Sequence, residues 1–141
     1  MALKMDRRSF LYGLPLAASA MAPSLPSGVW DVHCHLAGAR GTEPEEITEG
    51  LLRAADRLGI ERIALFMGNP FHYDPTPAEL RAENDQVLRA IRAFPTRTFG
   101  FVYLTPNHVA FSLEEFDRCV GEGPMVGVKL WVAKHCNEPD L

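Results

Sequence analysis

Cysteine is scarce in this chain. Cys34, Cys119 and Cys136 are odd in number and far apart, which fits neither a disulfide framework nor the paired spacing of a structural zinc site. Reduced thiols are therefore expected in the folded protein. Basic clusters are scarce too. With 14 basic and 18 acidic residues the net charge is −4, and no Lys/Arg cluster exists beyond the N-terminus, which argues against a nucleic-acid partner. No apolar run reaches the ~20 residues needed to span a bilayer, so no stable membrane span is expected. What is left, 47% apolar and 23% charged residues, is the balance of a soluble globular protein and argues against disorder. The length of 141 residues suggests a single domain.

The first residues differ from the rest. Lys4, Arg7 and Arg8 precede an apolar run from Tyr12 to Ala22, and Ala18-Ser19-Ala20 has the small residues of a cleavage site. Residues 1–20 thus read as a signal peptide and residues 21–28, rich in Pro, Ser and Gly, as a linker. The adjacent arginines, followed by Phe10-Leu11, resemble the twin-arginine signal of bacteria. The implied partner is that export machinery, and the implied location periplasmic or extracellular. The resemblance also suits a metal enzyme, because that route carries folded proteins, often with a cofactor already loaded. The competing reading is a short hydrophobic helix that packs on the domain or anchors it. Removal of residues 1–20 takes away three basic and one acidic residue, so the net charge falls from −4 to −6.

Residues 29–141 alternate regularly. Val29 to Leu36 is β-rich; Ile47, Leu51, Ala54, Ala55 and Leu58 follow at helical spacing, closed by Gly59. Arg62 to Met67 is a short apolar run suited to a strand covered on both faces. A second helical stripe runs through Leu80, Val87, Leu88, Ile91 and Phe94 to Pro95. Thr98 to Leu104 is the third strand, Leu113, Phe116 and Val120 mark a third helix ended by Gly121, and Met125 to Val132 is the fourth strand. The pairs Thr42/Glu45, Thr76/Glu79 and Ser112/Glu115 each fit a capping box, in which hydroxyl and carboxylate satisfy orphan amides reciprocally. The order β-α-β-α-β-α-β requires parallel strands with crossover helices. An eight-stranded barrel takes ~250 residues, and Glu138-Pro139-Asp140-Leu141 looks like the start of another helix. The fold class is therefore α/β, the N-terminal half of a (β/α)8 TIM barrel of about four strands, truncated.

The chemistry sits in Asp31-Val32-His33-Cys34-His35. Alternation in a strand puts Asp31, His33 and His35 on one side and Val32 and Cys34 on the other. Two imidazoles at i and i+2 can grip one divalent ion, zinc above all. They lie at the carboxyl end of the first strand, where barrel enzymes place their chemistry, and Gly38 and Gly41 leave the following loop open. Against a reading as two surface histidines stands the cost of burying such a polar face without a partner, several kcal/mol.

Asp31-Val32-His33-Cys34-His35-Leu36, with the strand at Ile60 to Met67, Phe99-Gly100-Phe101-Val102 and Gly127-Val128-Lys129-Leu130-Trp131, resembles the amidohydrolase superfamily, most nearly its amidohydrolase-related (type 2) branch. The resemblance covers nearly all of residues 29–141, with His-x-His its specific part. It implies that His33 and His35 bind the metal, with further ligands from the fifth, sixth and eighth strands. Those strands, and the family's aspartate base, have no counterpart here. It also implies a metal-dependent hydrolase, in which a metal-activated water attacks an amide, ester or lactone carbon. A metal-dependent decarboxylase on the same scaffold is the alternative, and a phosphoesterase a third. From another class, the chain could be an inactive truncated fragment, or a half-barrel that binds a partner half.

In the fourth strand Val126, Val128, Leu130 and Val132 form an apolar face suited to helices, leaving Gly127, Lys129 and Trp131 toward the lumen. Lys129 could bind a substrate carboxylate, or be carboxylated to bridge two metals as in some family members. It could equally be a lysine with a packed stem and a paired head. His72, His108 and His135 follow strands two, three and four on the same rim, with Asn69 and Asn107 beside two of them. With Trp131 these are candidates to contact a small-molecule substrate, and the Met67-Gly68-Asn69-Pro70 turn is the first candidate to shape the pocket.

Overall fold

The computed structural model describes residues 28–131. The segment expected to be a signal peptide and nearly all of the expected linker lie outside the described residues, as do residues 132–141, which include Val132, His135 and Cys136. Seven principal elements alternate: β1 (Val29–His35), α1 (Pro44–Leu58), β2 (Ile60–Phe66), α2 (Pro77–Ala93), β3 (Thr98–Leu104), α3 (Val109–Phe116) and β4 (Gly127–Leu130). The four strands are parallel and ordered β1-β2-β3-β4, so each chain neighbour is also a sheet neighbour. This is half of a (β/α)8 barrel, as the alternation predicts. No helix among the described residues is long and apolar enough to cross a membrane.

The helices begin where proline and carboxylates allow. At α2 the predicted box forms: the Glu79 amide donates to Thr76 Oγ1 at 3.4 Å and Glu79 Oε2 accepts from the Thr76 amide at 2.8 Å. At α1 the box shifts one residue along, because Pro44 takes the first helical position, where its missing N–H costs nothing. Glu46, rather than Glu45, then accepts from the Thr42 amide (3.1 Å), and Glu45 instead takes Arg89 of α2 (2.7 and 3.0 Å). The third predicted box does not form. Pro106 opens a short 3-10 turn (Pro106–His108) that brings the chain into α3 earlier, so Ser112 and Glu115 lie inside the helix. Ser112 Oγ donates to the Thr105 carbonyl (2.8 Å), and Glu115 turns inward. Gly59 closes α1 in the left-handed conformation (φ 70°), which a side chain would strain.

Between the sheet and α1 and α2 lies the main core, built on Ile63, Leu65 and Val102 against Ile47, Val87 and Ile91. A second cluster fills the other side of the sheet: Phe66, Met67, Leu80 and Tyr103, with Phe71, Phe101 and Trp131 at its margin. On the outer face of β4 the register places Val128 beside Val102 and Leu130 beside Leu104. Both are nonetheless exposed, at 40% and 60%, as is Val126. The apolar face expected to pack on helices is therefore only partly covered among the described residues.

Candidate metal centre

The carboxyl ends of β1, β2 and β4 converge on one aromatic ring. The rings of His33 and His35 stand 5.7 Å apart, and each meets Phe66 edge-on, at 5.1 and 5.0 Å. From β4, the Lys129 ammonium lies 4.7 Å from the centre of the same ring. Of Asp31, His33, His35 and Lys129, all expected on the lumen side, the last three are thus brought together. His33 is exposed and His35 half-buried. Burial first, then the positive Lys129 and His33, lowers the pKa of His35, which favours the neutral imidazole with a free lone pair.

Asp31 does not join them. The register of β1 on β2 shifts between Asp31 and Cys34, so that Asp31 lies opposite Ile63 and Cys34 opposite Leu65. Ile63 and Leu65 are two apart and share the helix-facing side. The irregularity adds one residue to β1 and reverses the alternation there. Asp31 therefore takes the Cys34 side, and its Oδ1 accepts from the His33 amide at 2.9 Å. Burial, with the Asp31 charge second, pushes the Cys34 thiol up to about 11.

Two imidazoles with lone pairs on one face are a donor set that suits a divalent ion of the zinc type. They would supply two of the three protein ligands that a catalytic site normally has. Among the described residues no cluster of three or more His, Cys, Asp or Glu could hold an ion.

The loop between β2 and α2 forms one wall. Met67 adopts φ 57°, rare for a side chain of that size, while its side chain is fully buried. Phe71 then packs between His35 (6.1 Å), Trp131 (5.5 Å) and Tyr73 (4.7 Å). Trp131 also meets Tyr73 at 5.4 Å, and its Nε1 is buried with no acceptor among the described residues. His72 faces α2, with Nδ1 at 2.9 Å from Glu83 and Nε2 at 3.5 Å from Glu79. Asn69 is held through its backbone, its amide donating to Gln86 Oε1 (2.9 Å) and its carbonyl accepting from Gln86 Nε2 (3.1 Å). His108 stands at the start of α3, and neighbouring Asn107 donates to Asp74 at 2.6 Å, tying two rim loops together. His135 lies outside the described residues.

Sequence reasoning missed Phe66, Phe71 and Glu83. Phe66 was within reach, since alternation from Arg62 places it on the lumen side at the end of β2. Glu83 carried a signal as well: it falls on the buried stripe between Leu80 and Val87. Burial raises its carboxyl despite the bonds from His72.

A family model described as Amidohydrolase matches residues 30–140. No curated protein matches the sequence at a significant level. A solved structure of 2,6-dihydroxybenzoate decarboxylase from Rhizobium aligns with a TM-score of 0.54 at 21% identity, covering 72% of this chain and 37% of that enzyme. At that identity the likeness concerns the fold.

Proposed function

Because the chain belongs to the amidohydrolase family, we propose that it is part of a metal-dependent hydrolase acting on an amide, ester or lactone. The carrying observation is the pair of imidazoles over Phe66 at the carboxyl ends of barrel strands. His33 and His35 would hold the ion, zinc being the first expectation, with further ligands supplied from outside this set. A bound divalent ion supplies Lewis acidity toward water or a substrate oxygen.

The chain's own residues supply the surroundings. His35, kept neutral, offers its lone pair rather than a competing proton. Lys129 sets a positive charge beside the histidines, suited to a substrate carboxylate or to negative charge developing on oxygen. Phe66, Phe71 and Trp131 cover that side with apolar surface, which lowers the local dielectric and strengthens those interactions. The test is metal content. The full-length protein should hold about one divalent ion per chain, and His33→Ala with His35→Ala should abolish it. Unchanged metal by elemental analysis in the double variant would overturn the assignment.

Lys129 favours a second reading, a decarboxylase in which metal and ammonium would hold a carboxylated substrate; the Rhizobium protein of similar fold is by name a decarboxylase. Release of carbon dioxide from a specific carboxylic acid, without hydrolysis of an amide, ester or lactone, would select it. The N-terminal Arg7-Arg8 and Ala18-Ser19-Ala20 support export to the periplasm or beyond.

A further inference from the structure

The β2–α2 loop is fastened to α2 far more closely than a connecting segment requires. Glu83 Oε1 accepts two bonds from one residue, the His72 amide at 3.0 Å and His72 Nδ1 at 2.9 Å. One turn on, Gln86 takes both backbone groups of Asn69. Tyr103 of β3 donates its hydroxyl to the His72 carbonyl at 3.0 Å, closing the loop from the third side. The approach is so near at Gly68 that a Cβ would stand 2.9 Å from the Glu83 Cα and from Gln86 Oε1, which only glycine permits. Glu83 is 1% exposed, and its second oxygen has no partner among the described residues. A buried carboxylate left half-satisfied is a poor choice for stability alone.

What these bonds bracket is Phe71. Asn69 and His72 are clamped on either side of it, and its ring occupies the space between His35 and Trp131. His72 therefore faces away from the lumen while its neighbour faces in. We infer that Glu83 and Gln86 are positioning residues of the pocket: they hold the loop backbone so that Phe71 forms a fixed wall beside His35 and Trp131, and so set the width open to substrate. The inference rests on the reading of the His33–His35 face as the reactive site, but it concerns the wall and not the ion.

Trp131 reports the wall directly. The chain has two tryptophans, so a Trp30→Phe background leaves Trp131 as its single indole. In that background of the 141-residue chain, Glu83→Ala and Gln86→Ala should lose the near-ultraviolet circular dichroism of Trp131 and red-shift its emission. Glu83→Gln keeps a carbonyl that can accept from His72, and should restore both signals. Arg97→Ala is the control: it loosens the other end of the sheet, where Arg97 Nε donates to the Glu61 carbonyl at 2.7 Å. It should leave the indole unchanged. Retention of both signals in Glu83→Ala and Gln86→Ala would overturn the inference. So would their loss in Arg97→Ala, because the effect would then be general loosening. Should Glu83→Ala fail to fold, Gln86→Ala decides alone. Metal retained by the His33/His35 double variant would defeat the hydrolase reading and leave these indole signals untouched.

Discussion

Glu115→Ala should weaken the fold measurably, and in a manner that depends on pH. The carboxylate is fully buried and receives four nitrogen donors, Arg81 Nε (2.9 Å), Asn84 Nδ2 (3.0 Å), Arg118 Nε (2.8 Å) and Arg118 Nη2 (2.7 Å), and a weak one from Cys119 Sγ at 4.0 Å. Removing one partner of a buried ion pair costs about 3–5 kcal/mol when the other charge is stranded. Here the survivors have other outlets. Arg81 and Arg118 are 46% and 34% exposed, Arg118 keeps Asp85 at 2.8 Å, and Asn84 keeps the Tyr103 carbonyl at 3.1 Å. Solvent access discounts the loss to about 2–3 kcal/mol. With a urea slope near the middle of the usual range, about 2 kcal/mol/M, the midpoint should fall by about 1–1.5 M. Burial alone would raise the Glu115 carboxyl, but the bonds from Arg118, Asn84 and Arg81 outweigh it and hold it below the usual carboxylate range. Its contribution is then fully present above the unfolded value of about 4.3 and is lost as pH falls through the lower folded value. Urea titrations of parent and variant at neutral and acid pH should therefore converge on acidification. A variant within about 0.5 kcal/mol of the parent at neutral pH would refute the reasoning.

Three further outcomes follow from the N-terminus, the sheet edge and the histidine pair. Replacing Arg7 and Arg8 by lysine should leave the protein in the cytoplasm with Met1 still attached, as read by fractionation and N-terminal sequencing. The exposed apolar face of Val126, Val128 and Leu130, beside a strand edge open among the described residues, should make the isolated 141-residue chain associate with rising concentration. Sedimentation should show this, and a monomer at all concentrations would remove that face as a point of contact. The same chain should lack hydrolytic turnover, because His33 and His35 would supply two ligands of the usual three and no third joins them among the described residues.

The succession of strands and helices was legible because hydrophobic period and turn residues agree over most of residues 29–131. Thr98–Leu104 appears with the very limits read from its β-branched and aromatic run. Where several local rules compete, the sequence was ambiguous. Thr42-x-x-Glu45 and Glu43-x-x-Glu46 overlap, and Pro44 decides between them only through the geometry of the first turn. Ser112-x-x-Glu115 has the letters of a cap, but Pro106 upstream had already started the helix. The histidine pair was legible since both residues follow the irregularity in β1 or lie at its end. Asp31 precedes it, and no residue type in the strand announces the extra step. Glu83 and Glu115 were passed over because acidic residues are expected at the surface; their partners, His72, Arg81, Asn84 and Arg118, are remote in sequence and met only through the fold.

Phe66 carries a burden unlike that of an ordinary core residue. Both histidines and the lysine amine use the same ring as their floor. A change there would therefore be felt by all three candidate site groups at once, and the effects of altering any two of them would not add. In an evolving lineage this couples their fates. A substitution at one of the three positions is tolerated only against the ring shape already in place, while Phe66 itself can drift only if all three accept the replacement together. The narrowest path through sequence space thus runs through a side chain that performs no chemistry.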